Sequence, residues 1–233
     1  MNAIVIIPVF NEEGSLRGAI SSVVELYPHI DIVVIDDGST DGSAEIARES
    51  GAVVLRHPYN MGYGVALQTG YKFALRHNYD TLVQMDGDGQ HDPEGIRVLV
   101  EELKNDSYDI VMGSRFLNPY NYNTTFFRKV GIGIFRLLLH LLTGRHITDP
   151  TSGFQAMNRK VLELYIKDFF PCDYPDADLI VVLAKMRMRF KEVPVKMIPN
   201  TTGKSMHSSP LNVMYYIFKM ILLLFLPRNR KFL

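Results

Sequence analysis

Apolar and polar positions alternate with two different periods along the first half of the chain. AIVIIPV (Ala3 to Val9) is a continuous apolar run, the pattern of a strand buried on both faces. Leu16, Ala19, Ile20, Val23 and Tyr27 then recur at helical spacing, and Pro28 closes that segment. DIVVID (Asp31 to Asp36) predicts a second strand, Ala44 to Ser50 a helix closed by Gly51, and AVVLR a third strand. Gly64 to Arg76 carries Val65, Thr69, Phe73 and Ala66, Gly70, Ala74 on adjoining helical faces. TLVQMD predicts a fourth strand, Ile96, Leu99, Val100 and Leu103 a further helix, and YDIVMGSR the next strand. Strands alternating with helices predict βαβ units, hence an α/β fold with a mainly parallel sheet flanked by helices.

The second half changes character. PYNYNTTFFRKVG is a connection rich in tyrosine and asparagine, and Val130 to Leu142 is strongly apolar with basic residues around it. GFQAMN predicts a strand, Asn158 a helix cap, Val161 to Ile166 and Asp176 to Arg187 helices, and Glu192 to Ile198 a strand with Val193, Val195 and Met197 alternating. Asn200 to Pro210 is a polar loop. Leu211 to Leu226 is apolar, but it falls short of the about 20 residues of a membrane span. Asn212 and Lys219 interrupt it, Pro227 stops it, and Arg228, Arg230 and Lys231 follow. A helix lying in a bilayer interface fits this pattern best, with a core or oligomer-contact helix and a true span as alternatives. Two units are expected, a catalytic domain over 1–210 and a C-terminal helix with a basic tail over 211–233.

Composition narrows the class. Of 233 residues, 47% are hydrophobic, enough for a large core and too many for a disordered chain. Lys and Arg balance Asp and Glu at 25 each, so overall charge gives no argument for nucleic-acid binding. Cys172 is the single cysteine, which excludes an internal disulfide and a cysteine-based zinc site. No basic segment precedes the first apolar run, so Ala3 to Val9 reads as a strand and not as a signal sequence.

The chemistry concentrates in LVQMDGDGQHDP (Leu82 to Pro93), where Asp86, Asp88 and Gln90 alternate with two glycines at the end of a strand. Asp-Gly pairs also make ordinary turns, and Asp92, Pro93 and Glu94 suit a helix start. The turn explanation weakens once the other strand ends are compared. In an open parallel sheet, ligands bind beyond the carboxyl ends of the strands. The first strand ends in Pro8-Val9-Phe10-Asn11-Glu12 and the second in Asp36-Asp37-Gly38-Ser39, so several carboxylates gather at one edge. The dinucleotide fingerprint Gly-x-Gly-x-x-Gly, a P-loop and Gly-x-Ser-x-Gly are all missing. Two aspartates and an amide oxygen suit a hard divalent cation, Mg²⁺ or Mn²⁺, of the kind that also holds phosphates.

In order along the chain, PVFNEE, VVIDDGSTDGS, Asn-x-Gly-x-Gly-x-Ala (Asn60 to Ala66), MDGDGQHDP, MGSR and DPTSGFQAMNR resemble the motifs of family 2 glycosyltransferases. The resemblance implies the GT-A fold, a Rossmann-like nucleotide-diphospho-sugar transferase sheet, here with an apolar C-terminal helix. The nearest subgroup is the polyprenyl-phosphate glycosyltransferases, such as dolichyl-phosphate mannose synthases. It implies a UDP- or GDP-sugar donor, a polyprenyl phosphate acceptor, inversion at the anomeric carbon, and peripheral attachment to the cytoplasmic face of a membrane. Nucleic acid is not an expected partner, and a homo-oligomer is left open.

The resemblance also implies residue roles. Pro8, Phe10, Glu12, Ile35 and Asp37 would line the nucleoside site, with Asp37 accepting from the base. Asp86, with Gly87 beside it, and Asp88 would engage the metal and diphosphate, and Gln90 would complete the protein ligands. Arg115 and Arg128 would face phosphates, and Lys204 stands where the family often has an arginine. A phosphate acceptor is already anionic near neutrality, its second pKa being about 6, and needs cations more than a base, for which Arg128, Lys129 and Lys204 are candidates. An acceptor hydroxyl on a lipid-linked or cell-wall glycan would instead need a base, for which Asp176 and Asp178 are candidates. Their alternative role is that of a helix cap and first-turn acid. His91, beside the metal motif, is expected to be exposed, and His140 and His146 to be surface or satisfied core residues. Rival classes are a non-catalytic nucleotide-sugar binder and a nucleotidyltransferase on a related sheet.

Overall fold

The computed structural model describes residues 2–105, 107–117, 126–173, 175 and 177–198, with backbone only over 126–131. Among these residues, seven strands form one sheet: β1 (Ala3–Val9), β2 (Asp31–Asp36), β3 (Val53–Arg56), β4 (Thr81–Gln84), β5 (Ile110–Ser114), β6 (Gln155–Asn158) and β7 (Phe190–Pro194). Among the described residues, seven helices cover it: α1 (Leu16–Leu26), α2 (Ser43–Glu49), α3 (Tyr63–Arg76), α4 (Glu94–Lys104), α5 (Phe126–Thr143), α6 (Arg159–Tyr165) and α7 (Ala177–Lys185). The strand order is β3-β2-β1-β4-β6-β5-β7.

The continuous apolar runs have a direct cause. Along β1, Ile4 and Ile6 face one apolar layer, which α3, α5, α6 and α7 complete. Val5, Ile7 and Val9 face a second layer, completed by α1, α2 and α4. Neither face of the strand meets water, so no polar alternation develops. Each fully buried aliphatic side chain contributes about 1.5–3 kcal/mol relative to exposure. Gly70 of α3 lets that helix lie close to the sheet, since a Cβ there would stand 2.9 Å from Ile6 Cδ1 and 3.0 Å from Ile35 Cδ1.

Helix starts follow local chemistry. Asn158 caps α6 by accepting the Val161 N–H at 3.3 Å. Asp92 accepts the Glu94 N–H at 3.1 Å, so Asp92 serves the start of α4 and Pro93 stands one position before its first residue. The last strand is shorter than its alternation predicts: β7 stops at Pro194, and Met197 forms an isolated antiparallel bridge with His91.

Topology decides where the polar loops go. β1 pairs with β2 on one side and β4 on the other, so the chain switches direction of growth at β1. Such a switch opens a crevice at the carboxyl ends of the strands. β6 is antiparallel to both β4 and β5. That reversal brings the start of β6, and the Asp149 to Gly153 loop before it, to the edge where β4 and β5 end. The mainly parallel sheet expected from the sequence therefore has one reversed strand, and that strand delivers an additional loop to the site.

Candidate active site

Three turns are fastened together at this edge. The Asn11 N–H donates to Ser39 Oγ at 3.0 Å, and Asn11 Oδ1 accepts the Thr40 N–H at 2.8 Å, which joins the turns after β1 and β2. The Ser15 hydroxyl donates to the Gly87 carbonyl at 2.9 Å, which joins the β1 and β4 turns. Phe10 is exposed at the edge, Pro8 is buried in β1, and Glu12 is half-buried.

Asp86 and Asp88 stand at the mouth of β4, both half-buried. Asp86 Oδ1 accepts the Tyr63 hydroxyl at 2.7 Å, and Asp86 Oδ2 lies 3.6 Å from His91 Nε2. Asp86 rests against Gly153, where a Cβ would come within 2.9 Å of its carboxylate. Asp88 accepts the Gln90 backbone N–H at 3.0 Å and also the Gln90 side-chain amide. Gln90 thus braces Asp88 through its nitrogens, and its carbonyl oxygen is an atom of the type a hard cation takes. Two carboxylates and an amide oxygen form a partial set of hard donors, leaving positions for diphosphate oxygens and water. The donor set therefore fits a divalent cation shared with a substrate.

Asp37 sits deeper than its expected role requires. Its carboxylate is buried and accepts the Met61 N–H and the Gly62 N–H, each at 2.9 Å, and pairs with His57 Nδ1 at 2.7 Å. Three of about four lone-pair positions are occupied, so Asp37 anchors the strap from Tyr59 to Gly64 beside the turn after β2. His57 Nε2 meets Thr69 Oγ1 at 2.9 Å and ties the strap to α3. On its other side the strap meets the segment before α7, where the Gly64 N–H donates to the Cys172 carbonyl at 2.8 Å. A Cβ at Gly64 would lie 2.0 Å from the Pro171 carbonyl oxygen, so only glycine permits this approach. Ile35 is corrected in a similar way: its side chain packs in the core under Gly70, leaving only its backbone for a ligand.

Arg115 also departs from its expected role. Its guanidinium is buried and grips Asp149 with two bonds of 2.6 Å, and it donates to Thr151 Oγ1 at 2.9 Å. This fork holds the Asp149 to Thr151 loop, a structural task that the resemblance does not assign to Arg115. Glu192 supports the same loop by accepting the Thr148 and Asp149 N–H groups, each at 2.7 Å. Burial pushes the Glu192 carboxyl above its ordinary value, against the lowering effect of those two bonds. Arg136 donates to the Thr148 carbonyl at 2.7 Å and lies 4.8 Å over the Phe116 ring.

The remaining predicted residues divide. Asp178 is 3% exposed in the first turn of α7, which matches the first-turn acid and not a base facing an acceptor. Asp176, Lys204, the Asn200 to Pro210 loop, the Leu211 to Leu226 segment and the side chains of Arg128 and Lys129 lie outside the described residues. His91 corrects another expectation. It is 5% exposed and stacked on Phe154 with centroids 4.7 Å apart. His140 and His146 stack on each other, 4.2 Å between centroids. Tyr63, His57, Asp149 and Glu192 are the site residues that pattern reading misses. Asp149 opens the motif DPTSGFQAMNR and Glu192 opens EVPV, which gave both a weak signal; Tyr63 stands at an unspecified position of its motif, and His57 lies in none.

The sequence matches the description of glycosyl transferase family 2 over residues 4–165. The chain belongs to glycosyl transferase family 2. The UDP-N-acetylglucosamine–dolichyl-phosphate N-acetylglucosaminyltransferase of Methanococcus voltae is 29% identical, covering 83% of this chain and 84% of that protein. The undecaprenyl-phosphate mannosyltransferase of Micrococcus luteus is 30% identical, covering 88% of this chain and 87% of that protein. The fold of this family 2 glycosyltransferase is that of glucosyl-3-phosphoglycerate synthase from Mycobacterium tuberculosis, solved with Mn²⁺ and UDP-glucose. That structure superposes with TM-score 0.69 at 21% identity, over 95% of this chain and 76% of the other. The α/β sheet flanked by helices is thus the GT-A arrangement that the motifs imply.

Proposed function

We propose that this family 2 enzyme moves a sugar from a nucleotide-diphosphate donor to a polyprenyl phosphate at a membrane surface. One observation carries the reading: two relatives named for dolichyl- and undecaprenyl-phosphate transfer align along more than four-fifths of this chain. The carboxylates at the mouth of β4 agree with it.

In this reading Pro8, Phe10, Glu12 and the backbone at Ile35 receive the nucleoside, and Asp37 holds the strap that closes beside it. Asp86, Asp88 and Gln90 hold Mg²⁺ or Mn²⁺, which when bound neutralises the diphosphate as it departs. A phosphate oxygen of the acceptor forms the new bond to the anomeric carbon from the face opposite the leaving diphosphate, so the configuration inverts. The acceptor is anionic before it attacks, so the chain needs no general base. Cationic side chains must hold it near a second anion, a task assigned to Arg128, Lys129 and Lys204. The burial of Asp178 counts against a hydroxyl acceptor activated by that residue.

The lipid tail requires the catalytic edge to meet a bilayer. α5 supports this with an outward apolar face: Leu137 is 60% and Leu141 71% exposed, with Ile134 on the same side. No helix among the described residues is long and apolar enough to cross a membrane. We assign peripheral attachment on the cytoplasmic face, with a catalytic unit over 1–210 and a membrane-contacting segment over 211–233.

The test is incubation with UDP- and GDP-sugars and either undecaprenyl or dolichyl phosphate, with Mn²⁺ or Mg²⁺, followed by mass analysis of the lipids. A glycosyl-phosphoryl-polyprenol product is expected. Transfer to a glycan hydroxyl with no lipid-phosphate product would overturn the reading.

A further inference from the structure

A directed chain of hydrogen bonds ends on the metal-binding carboxylate. The Tyr71 hydroxyl donates to Gln84 Oε1 at 2.6 Å, Gln84 Nε2 donates to the Tyr63 oxygen at 3.2 Å, and the Tyr63 hydroxyl donates to Asp86 Oδ1 at 2.7 Å. The direction is fixed from its buried end. Tyr71 is almost fully buried, and its proton finds its acceptor in the Gln84 oxygen. The Gln84 nitrogen must therefore face Tyr63. The Tyr63 oxygen receives that N–H, and its single proton is left to aim at Asp86.

The backbone of Tyr63 is held on both sides. The Gly62 N–H donates to Asp37 Oδ2 at 2.9 Å, and the Gly64 N–H to the Cys172 carbonyl at 2.8 Å. The phenol is thus fixed from the strap, from the sheet and from the loop before α7. Asp86 is constrained in turn: Gly153 closes one side, and Tyr63 occupies a lone pair of Oδ1.

We propose that Tyr63 is a positioning residue that sets the orientation of Asp86 toward the cation and so governs metal affinity. Resting on the metal-dependent reading above, it adds a residue to which no role is otherwise given. A carboxylate that rotates freely presents its oxygens to a cation only part of the time. A carboxylate with one oxygen tied by a neutral hydroxyl keeps its full charge and one fixed aim. Partners of this kind behind metal ligands typically change metal affinity about 10- to 100-fold when removed.

The test is Tyr63→Phe in the full chain, which removes the hydroxyl and keeps the ring. Mn²⁺ binding is measured by electron paramagnetic resonance in the presence of UDP and, separately, GDP. The dissociation constant for Mn²⁺ should rise about 10- to 100-fold. Donor hydrolysis should recover most of its maximal rate in excess Mn²⁺, and nucleotide affinity in EDTA should be unchanged. An unchanged Mn²⁺ constant overturns the proposal. So does an equal loss of nucleotide affinity in EDTA, which would make Tyr63 a support for the strap alone. A wild-type protein that binds no Mn²⁺ with either nucleotide overturns the metal-dependent reading and this proposal together.

Discussion

His91 Nδ1 accepts the backbone N–H of Asp86 at 3.1 Å. That nitrogen must be unprotonated, so the ring is the neutral tautomer with its proton on Nε2, pointing toward Asp86 Oδ2 at 3.6 Å. One ring therefore satisfies the backbone and faces the carboxylate of the same residue. His91→Phe keeps the stack on Phe154 and deletes both contacts. It is expected to cost about 1–3 kcal/mol by leaving the Asp86 N–H without an acceptor, and to lower donor turnover about 10- to 100-fold. His91→Asn offers an amide oxygen near the Nδ1 position and should retain more activity than the phenylalanine. Thermal melts and donor hydrolysis check this; equal activity of the two variants would show that the acceptor does not matter.

Asp37 makes a separate prediction. Asp37→Ala frees the Met61 and Gly62 N–H groups and the His57 ring. The strap from Tyr59 to Gly64 should open, with faster hydrogen exchange at Met61 and Gly62. Nucleotide affinity measured by calorimetry should weaken even in EDTA, because the strap packs against the turn after β2, the part of the site proposed to receive the nucleoside, and that contact needs no cation. Unchanged exchange and affinity would remove Asp37 from this role.

The buried fork between Arg115 and Asp149 separates a structural role from a phosphate-binding one. A lysine cannot reproduce two parallel bonds to one carboxylate. Arg115→Ala should destabilise the protein by about 3–5 kcal/mol, the usual range for breaking a buried pair. Arg115→Lys should also lower the melting temperature, and adding Asp149→Asn should cost less than the sum of the two changes. A lysine variant with wild-type stability and lost transfer would restore Arg115 to the substrate.

These cases show what sequence reading can reach. The apolar runs of β1, β2 and β4 and the helical spacing of α1, α3 and α4 gave the layers, because burial on both faces leaves a direct mark on composition. The gathering of Asp37, Asp86 and Asp88 followed from their places at the carboxyl ends of strands in a parallel sheet. The tasks of Arg115 and Asp37 did not follow. Each is decided by a partner far along the chain, Asp149 in one case and the His57 to Gly62 strap in the other. The reversal of β6 was hidden as well, since GFQAMN reads the same in either direction, and without it the contact of Gly153 with Asp86 has no cause. His91 was expected to be exposed; its burial comes from Phe154 and from the bridge to Met197.

Acid stability should be set partly at the opposite edge of the sheet. Asp109 precedes β5 and accepts from the Arg189 N–H at 2.9 Å, the Arg189 guanidinium at 3.2 Å and Asn158 Nδ2 at 3.1 Å. Burial works to raise its carboxyl, but the bonds from Arg189 and Asn158 outweigh it and hold the group below its ordinary value. A depressed folded value means that the unfolded chain takes up the proton more readily. The stability this group supplies is therefore complete above the unfolded value, about 3.9, and is lost as pH falls through the lower folded value. Urea unfolding should show stability declining on the acid side of that point. Asp109→Ala should lose about 1.5–3 kcal/mol near neutrality, where the charged acceptor matters, and should show a shallower acid decline. Because Asp109 ties the starts of β5 and β7 to the end of β6, far from Asp86, turnover per folded molecule should not change. An acid profile identical to that of the unaltered protein would show that Asp109 keeps an ordinary pKa in the fold.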